Sequence, residues 1–216
     1  MNVYFFSGLG ADQRVFQKIN LPENFHPVFI KWIEPIANEA LTDYCKRLSA
    51  QIDTTAKFSF IGLSFGGIVA SEMSRIYAPE KLILISSFNS SSQLPLLFRA
   101  VGKLRLHSLM PSSFLAKANT ILFWFFSISM HEEKKVVRVI LNETSPAFMK
   151  WAIHTLLKWR GISAIAEIIR IHGDWDRVIP LKRVKANFVV EGGGHFMVYQ
   201  KAEEINEMLK FILPNP

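Results

Sequence analysis

The sequence predicts an α/β fold: a mostly parallel sheet of about six strands, covered by helices on both faces, with a helical cap insertion between the fourth and fifth strands. Three observations predict it. Short, unbroken apolar runs recur along the chain, the pattern of strands buried on both faces. Segments with apolar residues at helical spacing alternate with those runs. Between Ser87 and Gly161 the strand-like runs cease and only helical spacing remains.

Residues 3–6 form the first strand, which ends in the loop Ser7-Gly8-Leu9-Gly10-Ala11-Asp12. Residues 27–32 form the second. Residues 38–52 read as a helix with Ala40, Leu41, Tyr44, Cys45, Leu48 and Ile52 on one face. Residues 58–61 are the third strand, 68–77 a helix stopped near Pro79, and 81–86 the fourth strand. Helical spacing then runs through 94–107, 114–126, 132–141 and 146–159, punctuated by Pro111 and Pro146. Residues 165–171 and 186–190 are the fifth and sixth strands, and 202–212 close the chain as an amphipathic helix. Residues 1–87 and 161–216 therefore make one α/β core, and 88–160 a cap that is not an independent domain. Right-handed crossovers in such a sheet gather the functional loops at the carboxyl ends of the strands.

Composition narrows the partners. Half of the 216 residues are hydrophobic, enough for a sizeable core in a single domain. The formal charge of +7, much of it in 99–160 and 182–185, favours anionic substrates or surfaces. No nucleic-acid motif accompanies it, so no nucleic-acid partner is expected. The single cysteine, Cys45, lies on a helix face and reads as a buried structural thiol; it allows no internal disulfide and fits a reducing compartment. Residues 1–6 lack the charged head and cleavage signature of a secretory leader and read as a strand. The run 121–128 is very apolar but too short for a transmembrane segment. The expected localisation is cytoplasmic.

The chemistry centres on Gly62-Leu63-Ser64-Phe65-Gly66, which joins the third strand to a helix. In that context G-x-S-x-G makes a sharp turn that lifts the serine hydroxyl above the sheet. Gly62 and Gly66 remove side chains that would collide across the turn. The helix start directs N–H groups and a positive dipole end at the site. A serine is a weak nucleophile until a neutral imidazole takes its proton. His195 follows an apolar run and three glycines, whose turn can swing its ring toward Ser64. Of the other histidines, His26 and His172 sit at strand edges, and His107, His131 and His154 fall in the cap. Asp174 and Asp176, after the fifth strand, both qualify chemically as the carboxylate that orients the imidazole.

Serine, aspartate and histidine in that chain order, together with the 7–12 loop, resemble the α/β-hydrolases nearly end to end. The resemblance implies Asp176 as the acid. Family loops of the form G-x-x-D-x-x-[VI]-P place it three residues after the glycine, and Gly173, Asp176, Ile179 and Pro180 match; Asp174 then shapes the turn. It implies an oxyanion hole from the backbone N–H groups of Phe65 and Leu9. Many relatives have His-Gly where this chain has Ser7-Gly8; the backbone donor survives that change, while a histidine side-chain role does not transfer. Family members commonly begin with two further strands, so a trimmed sheet is expected. Asp12 and Arg14 read as a local turn or salt bridge.

The implied reaction is hydrolysis of an ester or thioester of an apolar small-molecule substrate through an acyl-serine. The same fold also serves C–C hydrolases, lyases, acyltransferases and non-catalytic ligand-binding members, which stay as alternatives. Ser7, Phe123, Phe126 and His154 are candidate pocket residues. No cofactor or metal is implied, because no His/Cys/acid cluster has ligand spacing. The aromatic band 123–126 exceeds what one helix face can bury, so its remainder would serve a lipid-like substrate, a membrane surface or a homodimer.

Overall fold

Alternation along the strands sets the layers. In the computed structural model, which describes residues 1–104, 120–162 and 167–214, Val3, Phe5, Ile61, Leu63, Ile83, Ile85 and Ile171 share one buried face of the sheet. Tyr4, Phe6, Phe58, Phe60, Leu82 and Leu84 share the other. Side chains on a strand point alternately to opposite faces, so continuous apolar runs need cover on both sides. The strands are β1 (Asn2–Phe6), β2 (His26–Phe29), β3 (Phe58–Leu63), β4 (Leu82–Ile85), β5 (Ile168–Gly173) and β6 (Phe188–Val190). They form one six-stranded sheet in the order β2-β1-β3-β4-β5-β6, with every neighbouring pair parallel.

Helices α1 (Leu41–Leu48) and α2 (Phe65–Ser74) cover the face that carries Phe60. The closing helix, Ala202–Ile212, covers the other through Ile205, Leu209 and Ile212. All ten residues of α2 are buried, which explains its lack of a polar face. Several boundaries differ from the sequence reading for local reasons. Asn38 has a left-handed φ of 60°, so α1 starts later than 38 and ends in a 3₁₀ turn, Ser49–Gln51. Helix α2 starts at Phe65, directly after the turn. Strand β6 is shorter than 186–190, because Ala186 is held in a turn by its N–H bond to Val184 O (3.1 Å). The predicted start of the fifth strand, residues 165–166, lies outside the described residues, as do 105–107 and 114–119 of the predicted cap helices.

The insertion leaves and returns through one neck. Ser90 and Gly161 form an antiparallel bridge, and Ile162 N–H donates to Asn89 O at 3.1 Å. Beyond the neck lie α3 (Leu96–Lys103), α4 (Thr120–Phe125), α5 (His131–Glu143) and α6 (Pro146–Lys158). Helix α6 begins at Pro146, with the Ser145 hydroxyl accepting from Phe148 N–H. Its aromatics fasten the cap to the core: Trp151 lies 4.3 Å from Tyr44 and 6.1 Å from Phe65 between ring centroids, and Phe148 lies 5.6 Å from Trp32. Among the described residues no helix is long and apolar enough to cross a membrane.

Candidate active site

The chain runs from β1 to β2 on one side, then to β3 on the other, so the strand order reverses at β1. In open parallel sheets such a point leaves a crevice at the carboxyl ends of the strands. Ser7 and Gly8 follow β1 there, and Ser64 follows β3. A Cβ on Gly8 would stand 3.8 Å from the Ser64 Cβ, so the two loops meet.

Ser64 occupies a strained conformation, φ 50° and ψ −117°. Several contacts hold it. Its N–H donates to Ile85 O (3.0 Å), and its carbonyl accepts from the Ser87 hydroxyl (2.7 Å). A Cβ at Gly66 would lie 2.1 Å from Phe6 O, and one at Gly62 would lie 2.5 Å from the Gly67 Cα. Any side chain at either position would push α2 off the sheet and open the turn.

The loops after β5 and β6 bring in the other two groups. They are stitched together by Trp175 N–H to Gly193 O (3.0 Å) and Asp174 N–H to Val190 O (3.3 Å). His195 Nε2 lies 2.9 Å from Ser64 Oγ, and its Nδ1 lies 2.8 Å from Asp176 Oδ2. The second carboxylate oxygen of Asp176 accepts from the N–H groups of Val178 (2.9 Å) and Ile179 (2.8 Å). Burial alone would raise this carboxyl, but the adjacent His195, His172 and the Ile179 amide outweigh it and hold it below the usual carboxylate range. Asp176 therefore stays ionised, and as a pure acceptor it orients the ring by its contact with Nδ1 and leaves Nε2 facing the Ser64 hydroxyl. Asp174 is exposed, and its side chain has no bonding partner among the described residues.

His172 lies beneath this loop, fully buried. Its Nε2 donates to Ile179 O at 2.7 Å and stands 3.5 Å from Asp176 Oδ2. Burial pushes its pKa below the ordinary value, against the pull of Asp176, so it is neutral. The N–H of Phe65 lies in the first turn of α2, and Leu9 follows Gly8 in the facing loop. Among the described residues neither amide is engaged in a hydrogen bond, so both are available to a developing oxyanion.

The sequence matches the α/β hydrolase family over residues 24–208. The chain belongs to that family. Solved structures of the same fold include an esterase from Thermogutta terrifontis (17% identity, TM-score 0.70, covering 99% of this chain and 89% of that one). A putative lipase from Acinetobacter baumannii AYE is similar at 14% identity and TM-score 0.71, covering 98% and 83%. A putative non-heme bromoperoxidase from Mycobacterium tuberculosis H37Rv is similar at 16% identity and TM-score 0.70, covering 98% and 91%. Identities this low establish the shared α/β-hydrolase fold. No curated protein matches the chain by sequence.

This α/β hydrolase has a small apolar cavity, about 60 Å³, beside Ser64. Leu9, Leu63 and Phe126 line it, with Val137, Ile140 and Leu141 of α5. Phe126 also packs against the His195 ring, 5.0 Å between centroids. The other candidate pocket residues lie elsewhere. Phe123 is buried against the core and lines a separate open groove rather than this cavity. Ser7 is buried and spends its hydroxyl on Ala11 O (2.7 Å), which shapes the loop rather than the pocket. His154 lines a separate groove with Trp151 and Pro35, because α6 turns that face away from the crevice. Reasoning from sequence did not single out Val137, Ile140 and Leu141; their spacing on one helix face was the available signal. It also missed Thr144, whose hydroxyl donates to Gly10 O (2.6 Å) and ties the cap to the loop bearing Leu9. Asp12 does form a local ion pair with Arg14, and Arg14 reaches on to Glu143 of the cap at 2.5 Å.

Proposed function

We propose that this protein is a serine hydrolase that cleaves the ester or thioester of a small substrate through an acyl-Ser64 intermediate. The observation that carries the reading is the continuous bond path Ser64 Oγ, His195, Asp176 at 2.9 and 2.8 Å, starting from a strained serine above the sheet. Ser64 attacks the substrate carbonyl while His195 Nε2 takes its proton. The resulting imidazolium is stabilised by ionised Asp176. The Phe65 and Leu9 amides stabilise the oxyanion. The imidazolium then protonates the leaving alcohol or thiol, and water, deprotonated by the same nitrogen, releases the acid.

The size of the cavity favours a short apolar acyl group, since about 60 Å³ accommodates only a few small groups. The bulkier part of the substrate would then be the leaving alcohol or thiol, lying outside this cavity. A panel of p-nitrophenyl esters and acyl-thioesters graded by chain length tests this reading. Turnover should be highest for short acyl groups and absent in Ser64→Ala above the small rate left by the oxyanion hole. Unchanged turnover in Ser64→Ala refutes the mechanism. Release of free acid separates hydrolysis from acyl transfer to another acceptor.

A further inference from the structure

Charge in this chain is segregated. Residues 88–160 hold ten Lys/Arg against three Asp/Glu, so the whole formal charge of +7 belongs to the cap and the rest of the chain is balanced. Part of that charge meets exposed apolar surface in an open groove of about 840 Å³ formed by α4, the start of α5 and the loop after β5. Trp124 is 56% exposed, Met130 64% and Trp175 65%, and all three line this groove. Residues this large and apolar are rarely left in water together without a partner.

Four cations line the groove, and one of them, Lys201, is paired with Glu204 at 3.0 Å. The Arg177 guanidinium stacks on Trp124, 4.7 Å from the ring centroid, and donates to Trp124 O at 2.7 Å. Lys134 and Arg138 lie 5.9 and 5.2 Å from the ring centroid of Phe123. None of the three is paired with a carboxylate among the described residues. The one carboxylate lining the groove, Glu133, is buried and accepts from the Ser129 and Met130 amides and from Gln200. The positive groups sit on the rings of one open groove, Lys134 and Arg138 over Phe123 and Arg177 over Trp124, so the face presents cationic and apolar groups together. Indoles flanked by Lys and Arg are the composition that settles at a bilayer's headgroup boundary.

We propose that this face docks the protein on anionic phospholipid bilayers. Trp124, Met130 and Trp175 would lie at the headgroup boundary, with Lys134, Arg138 and Arg177 against lipid phosphates and carboxylates. Consecutive residues line the groove and the cavity beside Ser64, Ser127 the one and Phe126 the other. Docking would therefore hold the reactive cavity close to the membrane. The proposal is independent of the chemistry assigned to Ser64.

Sedimentation of the purified protein with phosphatidylcholine vesicles, with and without phosphatidylserine, tests it. Binding should require phosphatidylserine and fall as salt rises. The Lys134→Gln/Arg138→Gln variant should partition about 25-fold more weakly, about fivefold for each cation lost. Trp175→Ser should also bind more weakly while keeping the wild-type melting temperature, because that side chain is exposed. Equal binding to both vesicle types, or binding to neither, overturns the proposal. So does a dimer, formed without vesicles, that Trp175→Ser abolishes, since the face would then be a self-interface.

Discussion

Replacing Asp176 by asparagine changes one atom, and the surrounding bonds dictate the consequence. One carboxylate oxygen accepts from two buried amides, Val178 and Ile179, at 2.9 and 2.8 Å. The other accepts from His195 Nδ1 at 2.8 Å. Asparagine has one acceptor oxygen and one donor nitrogen. Turning the nitrogen toward the amides would leave two buried N–H groups unpaired, at about 1–3 kcal/mol each. The oxygen therefore stays on the amides, and the nitrogen faces His195. The imidazole must then accept at Nδ1 and carry its proton on Nε2, the atom that has to receive the proton of Ser64. Turnover should fall about 10⁴-fold, as for the same change in a serine protease. That is about 5.4 kcal/mol of lost transition-state stabilisation. The fold should be kept, since every amide retains a partner. Saturating kinetics with a short p-nitrophenyl ester, read beside thermal melts, measure both. Asp174→Asn should stay near wild type. Turnover of Asp176→Asn within tenfold of wild type, with an unchanged melt, refutes the reasoning, as does a larger loss in Asp174→Asn.

Phe126→Ala should enlarge the cavity beside Ser64 and shift the octanoyl-to-acetyl ratio of kcat/KM toward octanoyl by about 1–3 kcal/mol, the range for small changes in a hydrophobic pocket. Phe123→Ala should leave that ratio unchanged and cost about 3–5 kcal/mol of stability, because Phe123 is buried core; a shift in the ratio without a lower melting temperature contradicts its placement. Buried His172 has a folded pKa below the ordinary 6.5, so between those two values the unfolded chain binds more protons than the folded one. Its contribution is full above about pH 6.5 and is lost as the pH falls toward the folded pKa. Urea midpoints at pH 7 and pH 5 should therefore differ more in wild type than in His172→Gln, and equal differences would exonerate His172.

The fold was legible because its strands are buried on both faces. Runs such as Phe58–Leu63 are then continuous, and three turns near them carry chemistry that few other contexts require. Ser64, Asp176 and His195 could be read because each follows a strand that delivers it to the same edge of the sheet. Aspartate 174 and 176 are chemically alike, and only a family spacing separated them; the structure separates them by burial, one exposed and the other enclosed with His195. The pocket was harder. Composition shows that the cap is aromatic but not which ring faces the crevice. Phe123 and Phe126 lie three residues apart at the end of α4, yet Phe123 is buried beside the open groove and Phe126 lines the cavity beside Ser64. Helix period alone does not say which of two rings on one face meets the crevice. Thr144 and Arg14 act across the cap–core boundary, more than a hundred residues apart from their partners in sequence, where local pattern carries no signal.

The central claim is that Ser64 is an activated nucleophile. A fluorophosphonate probe measures that directly, because phosphonylation needs a serine whose proton is taken by a base, and needs no knowledge of the substrate. Intact-mass analysis should show one adduct per chain, peptide mapping should place it on Ser64, and Ser64→Ala should stay unmodified. Asp176→Asn should be labelled far more slowly. Absence of an adduct on folded wild-type protein, or an equal adduct on Ser64→Ala, would contradict the account.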